Sequence, residues 1–129
     1  MINLDNFDFD SRTDTPSFTG KIPSGLKTKM EFLQAVSKVF NFPDYFGENW
    51  DAFEECIRDL SWLPNGIIFM KHYDLPMEGD DSSRKIYLEV LSDAVSKWKS
   101  VEGRKLRVYF PKSTESVVGR YVNDKLGEA

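Results

Sequence analysis

Apolar positions recur along this chain with two different periods, and the switches between them mark its elements. Phe18 to Ile22 reads as the first firm strand, ended by Pro23-Ser24-Gly25. Thr28 and Glu31 then stand at capping-box spacing, which satisfies two orphan amide donors at a helix start. Behind that cap, Met30, Leu33, Val36 and Phe40 recur on one face. Asn41-Phe42-Pro43 closes the helix, because a residue before proline avoids helical angles. A tight loop, Asp44-Tyr45-Phe46-Gly47-Glu48, leads to Asn49, a good N-cap for a second helix from Trp50 to about Leu60. Pro64-Asn65-Gly66 predicts a turn. The continuous run Ile67-Ile68-Phe69-Met70 predicts a strand buried on both faces. After irregular residues 71–82, a third helix from roughly Ser83 to Lys99 turns Tyr87, Leu91, Ala94, Val95 and Trp98 to one side. Gly103 breaks it. Leu106, Val108 and Phe110 then alternate with Arg107 and Tyr109 as a strand that Pro111 stops.

The order strand, helix, helix, strand, helix, strand predicts an α/β layer with a small parallel sheet, joined by right-handed crossovers. Residues 1–16 read as an N-terminal extension. There Phe7 and Phe9 alternate with Asp8 and Asp10, which predicts either a short added strand or a loose arm. Residues 17–112 form the single domain, and 113–129 a C-terminal tail with one more short helix or no fixed structure.

A length of 129 residues with 40% hydrophobic and 29% charged residues suits one globular domain. Cys56 is the only cysteine, so no intrachain disulfide forms and a reducing compartment is expected. No apolar run approaches the length of a membrane span. The first ten residues carry Asp5, Asp8 and Asp10 and no base, unlike a secretory signal. The expected location is the cytoplasm. A net charge of −4 argues against nucleic acid as the main partner, since such domains usually carry a basic excess. Lys97, Lys99, Arg104, Lys105 and Arg107 do form a basic cluster, which reads first as cations suited to a helix end.

Few residues offer metal or nucleophilic chemistry. His72 is the only histidine, expected in a loop after a strand, and nothing stands at ligand spacing around it. Neither a metal nor a cofactor is expected. Cys56 falls on the apolar face of its helix and reads as a small buried hydrophobe. The glycines are scattered and form no phosphate-cradling loop.

The second helix divides its faces by charge. At about 100° per residue, Trp50, Phe53, Cys56, Ile57 and Leu60 fall together. Asp51, Glu54, Glu55 and Asp59 fall opposite, and Asp44 and Glu48 add to them from the loop. From Asp44 to Asp59 there are six acids and one base, Arg58. Solvated helix faces are commonly charged, and acids near an N-terminus favour the helix dipole. Yet Asp51–Glu55 and Glu55–Asp59 are like-charge pairs four apart, each costing roughly 0.2–0.5 kcal/mol, with only Glu54–Arg58 as an offset. Selection for stability alone would mix the signs. Concentrated acid beside Tyr45 and Phe46 suits a basic protein surface that normally holds phosphates. The carboxylates lie on a convex helix face rather than in a cleft, which disfavours an enzyme.

The run Phe42-Pro43-Asp44-Tyr45-Phe46-Gly47-Glu48-Asn49-Trp50-Asp51-Ala52-Phe53-Glu54-Glu55-Cys56 resembles the signature of the barstar family, inhibitors of barnase-type ribonucleases. The pattern is an aromatic pair, Gly-Glu-Asn, an apolar residue, Asp-Ala, and Cys close behind. The element order is similar to that family's three-stranded parallel sheet flanked by helices. The resemblance covers about Phe18 to Lys112 and implies a stoichiometric inhibitor rather than an enzyme, monomeric when free. Its partner would be a basic protein, a secreted or toxin ribonuclease for which this chain is the immunity protein.

Carried over, Tyr45 packs on the enzyme's catalytic groups with Phe46 beside it, Gly47 allows close backbone approach, and Asn49 caps the helix. Asp51 and Glu55 meet the Arg and Lys side chains that bind RNA phosphate, since a carboxylate accepts a guanidinium fork as phosphate does. Glu54 and Asp59 extend that acidic surface, and Asp93 on the third helix is a supporting acid. Two positions depart from the type member, which has aspartate at Glu55 and tryptophan at Glu54. The second exchange removes an aromatic anchor of the kind that often dominates interface energy. The alternative reading keeps the fold and makes the acidic face the contact of a non-inhibitory adaptor or regulator.

Overall fold

The computed structural model describes residues 2–10, 14–43 and 47–127. The strands are β1 (Phe7–Asp8), β2 (Phe18–Ile22), β3 (Gly66–His72) and β4 (Arg104–Tyr109). The helices are α1 (Lys29–Val39), α2 (Trp50–Asp59), α3 (Asp81–Trp98) and α4 (Glu115–Gly127). All four strands run parallel in the order β1-β4-β3-β2. The α/β class is as expected, but the sheet has four strands instead of three.

The fourth strand is the N-terminal one, and its cause is apolar. Phe7 and Phe9 are buried against Phe110, with ring centroids 5.3 and 6.3 Å apart. Asn6 pins the segment further. Its side-chain amide donates to the Ser92 carbonyl and to Ser96 Oγ on α3, and its oxygen accepts from Lys99 Nζ at 2.7 Å. Of the two expectations for this segment, the added strand is the one that forms.

Strand alternation gives the sheet two unlike faces. Ile22, Ile68, Met70, Leu106 and Val108 are buried with Phe32, Leu33, Phe53, Ile57, Tyr87 and Leu91 of the helices. Ile67, Phe69 and Lys71 of β3 are only half-buried, so this strand is not enclosed on both faces as its apolar run suggested. The helices cover one side, and β3 extends two residues beyond the apolar run, to His72.

The capping box at Thr28 and Glu31 is complete, with Glu31 N donating to Thr28 Oγ1 and Thr28 N to Glu31 Oε1. The buried stripe behind it is Phe32, Leu33 and Val36, whereas Met30 is 45% exposed. Phe32 takes the inward position because its ring packs 4.3 Å from that of Tyr87. Met30, two residues and about 200° away, must then face outward.

His72 is not a loop residue. It ends β3, is fully buried, and stacks 4.0 Å from Phe110. Its Nδ1 faces the Tyr109 carbonyl at 2.9 Å and its Nε2 faces the Tyr87 hydroxyl. With Nδ1–H donating and Nε2 accepting, both contacts suit a neutral ring. Burial lowers the His72 pKa to about 3, with the Tyr109 carbonyl opposing the shift.

Two predictions follow from this packing. An added Cβ at Gly20 would intrude on the buried Phe40 ring, so Gly20→Ala should cost about 1–3 kcal/mol in urea unfolding. Unchanged stability would mean that Phe40 can move aside. For His72, the unfolded chain takes up a proton near pH 6.5 and the folded chain does not. Stability should therefore fall as pH drops from 6.5 towards 3, by up to about 1.4 kcal/mol per pH unit from this residue. In the folded protein the imidazole NMR signals should stay in the neutral form down to pH 5, and a midpoint near 6.5 would overturn the assignment.

Candidate protein-binding face on the second helix

The acidic face begins at a capped turn. Asn49 Oδ1 accepts from Ala52 N at 2.8 Å, and Asn49 Nδ2 donates to the Gly47 carbonyl at 3.2 Å. One side chain thus closes the helix end and holds Gly47 against it. A Cβ at Gly47 would lie 3.1 Å from Asn49 Nδ2, a tight contact that only a small shift of the cap would relieve. Glu48, between them, takes a positive φ of 51°, uncommon for a residue with a side chain. Asp44, Tyr45 and Phe46 lie outside the described residues, and with them the two aromatic positions of the candidate site.

The apolar stripe of α2 is seated as its periodicity predicts. Phe53, Cys56 and Ile57 are buried, and Trp50 is half-buried beside Phe32 and Tyr87. The Trp98 indole N–H donates to the Ile57 carbonyl at 2.9 Å, which locks the C-terminal half of α2 to α3. Leu60 ends the helix in the left-handed region, at φ 46°. Burial pushes the Cys56 thiol up, and the Glu55 and Asp59 carboxylates add to the effect, so the thiolate is disfavoured.

With the stripe fixed, Asp51, Glu55 and Asp59 stand exposed on successive turns. Glu54 is partly covered and pairs with Arg58 at 3.7 Å. That contact joins two half-exposed side chains, so it offsets little of the local repulsion. Asp59 Oδ2 accepts from Ser61 Oγ at 3.2 Å. Asp93 is exposed on α3, four residues before Lys97.

Lys97 changes the charge pattern in a way the linear sequence hid. It borders a shallow groove together with Glu55, Arg58, Asp59, Trp98 and Val101. Arg58 is therefore not the only base near the acids. The C-terminal end of the face mixes its signs, while Glu48 and Asp51 mark an acidic N-terminal end. The signal for Lys97 lay in the basic cluster after Asp93, but assigning it to this groove requires the α2–α3 packing. Among the described residues, no group of His, Cys, Asp and Glu is arranged to hold a metal ion. No helix there is long and apolar enough to cross a membrane.

The cap carries its own test. Asn49→Ala removes the bond to Ala52 N and the tie to Gly47, and should cost about 0.5–2 kcal/mol in chemical denaturation. A loss well below that range would show that solvent replaces the cap at no cost.

Comparison with known proteins adds one match. The family described as Barstar (barnase inhibitor) matches residues 23–111, which begin just after β2 and include α1, α2 with its cap, β3, α3 and β4. No curated protein and no solved structure matched. The match spans well over half of the chain and contains the whole acidic face: this chain belongs to the barstar family.

Proposed function

We propose that this protein is a stoichiometric inhibitor of a ribonuclease, and that α2 with its preceding loop is the blocking element. The observation that carries the reading is the row Asp51, Glu55 and Asp59. These three carboxylates are exposed on consecutive turns of a helix whose other side is locked into the core. A helix so fixed presents its acids without reorganising, which lowers the entropy lost on binding. Family membership supports the target class, because the family's description names a barnase inhibitor.

In this mechanism the inhibitor works by occupying the cleft, and no bond is made or broken. Asp51 and Glu55 accept from the guanidinium and ammonium groups with which the enzyme holds RNA phosphate. The Asn49 cap ties Gly47 to the helix start, so these residues enter with the helix. Glu54 replaces an aromatic anchor with a charge already engaged by Arg58. The interface therefore leans on electrostatics more than on apolar burial. Tyr45, Phe46 and Asp93 complete the proposed contact. The partner on this reading is a secreted or toxin ribonuclease, met in the cytoplasm by an immunity protein that is monomeric when free.

The test is a titration of the protein into a barnase-type ribonuclease at low salt, followed by RNA cleavage. Loss of activity at a one-to-one ratio is expected. Asp51→Ala or Glu55→Ala should each weaken inhibition by about 10- to 150-fold, as for hydrogen bonds to charged groups, with the fold intact by circular dichroism. Association should also slow as salt screens the acids. Inhibition that is indifferent to both substitutions would remove α2 from the interface. An absence of inhibition with several such enzymes would favour an adaptor that uses the same acidic face.

A further inference from the structure

The shallow groove between the C-terminal halves of α2 and α3 carries charges of both signs. Glu55, Arg58 and Asp59 border it from α2, Lys97 and Trp98 from α3, and Val101 from the turn beyond. Its volume is about 470 Å³. All six residues are described, and Arg58 lies about two and a half turns beyond the Asn49 cap, at the opposite end of α2. The floor is fixed. Trp98 is 2% exposed, its indole N–H is held by the Ile57 carbonyl, and the Arg104 guanidinium lies 4.8 Å from its ring centre. Val101, 37% exposed, leaves apolar surface at one end.

The rim is poorly paired. Among the described residues, no carboxylate pairs with Lys97. Arg58 reaches only Glu54, at 3.7 Å, with both side chains well exposed. Glu55 makes no ion pair among these residues, and Asp59 Oδ2 accepts from Ser61 Oγ. Two acids and two bases thus share one groove without neutralising one another. Helix dipoles account for little of this. Arg58 stands in the last turn of α2, where a cation is favoured, but Arg104 already donates to the Asp59 and Leu60 carbonyls at that end. Lys97 stands in the last turn of α3. The dipole favours a cation there but does not choose the side of the helix, and Lys97 is on the side that meets the acids of α2.

The consequence concerns the partner. A cleft that holds RNA phosphate with cations alone would suit Asp51 and Glu55 but would meet Arg58 and Lys97 with like charge. Like charges brought together across an interface cost affinity and exclude wrong partners. We infer that Arg58 and Lys97 select the ribonuclease by pairing with a carboxylate that borders its phosphate-binding site, an inference that rests on the proposed inhibition. Glu55 and Asp59 take the cation beside that carboxylate, so the groove continues the acidic row of α2. An acid at that border does nothing to hold RNA. Ribonucleases that bind the same phosphates can therefore differ there, and the groove tells them apart.

The experiment repeats the inhibition titration with Lys97→Glu and Arg58→Glu, each checked by thermal melting, against the barnase-type ribonuclease that the parent inhibits. Both should weaken inhibition, Lys97→Glu by about 10- to 100-fold. Long-range attraction alone predicts the opposite sign, because each variant adds acid to the inhibitor of a basic enzyme. Replacing the bordering Asp or Glu of the ribonuclease by Lys should restore inhibition by Lys97→Glu and impair inhibition by the parent. The inference alone is overturned if both variants inhibit as well as the parent or better while Asp51→Ala is weakened. It is equally overturned if no acid bordering the enzyme's phosphate site couples to Lys97 in double-mutant cycles. If the parent inhibits no ribonuclease, the inference falls together with the inhibition.

Discussion

Tyr87 joins three helices and a strand at a single buried ring. Its centroid lies 4.3 Å from that of Phe32 on α1, 5.7 and 6.1 Å from Phe53 and Trp50 on α2, and 5.8 Å from His72 on β3. Ring contacts of this kind add about 0.5–1.5 kcal/mol each beyond the area they bury. The hydroxyl is also committed. Burial raises the Tyr87 pKa well above 10, and the group meets the neutral His72 imidazole. Polar and apolar demands at one residue therefore fix how α1, α2 and α3 sit on the sheet. A change at this ring would disturb the acidic face of α2 without touching it.

The charge of α2 is usable because of that arrangement. Its repulsive row of acids weakens the helix locally, and the cost is offset by the aromatic seat beneath Trp50 and Phe53 and by the Trp98 bond to Ile57. The helix owes its stability to tertiary contact rather than to its exposed surface. Its outward face is free to carry a row of like charges.

Both faces of the molecule hold charge combinations that stability alone disfavours. On α2 these are acids four residues apart; on the sheet, Lys21 stands against Lys71. The net charge of −4 averages the two and conceals both.

Local signals determined the elements. The Thr28–Glu31 capping box, the Asn49 cap and the apolar stripe of α2 depend on residues within one or two turns, and each is found where its spacing placed it. The α/β order and the exposed acids of α2 followed from the same short-range periods. The remaining features depend on partners far along the chain. Phe7 forms a strand because Phe110 receives it, and Met30 faces solvent because Phe32 meets Tyr87. His72 is buried because Tyr87 and the Tyr109 carbonyl satisfy both of its nitrogens. Lys97 enters the acidic groove because α3 lies against α2, and Lys21 faces Lys71 through strand register. Periodicity tells which way a side chain points within its own element. It does not tell which residue, tens of positions away, it will meet, because that choice is made when the whole core closes.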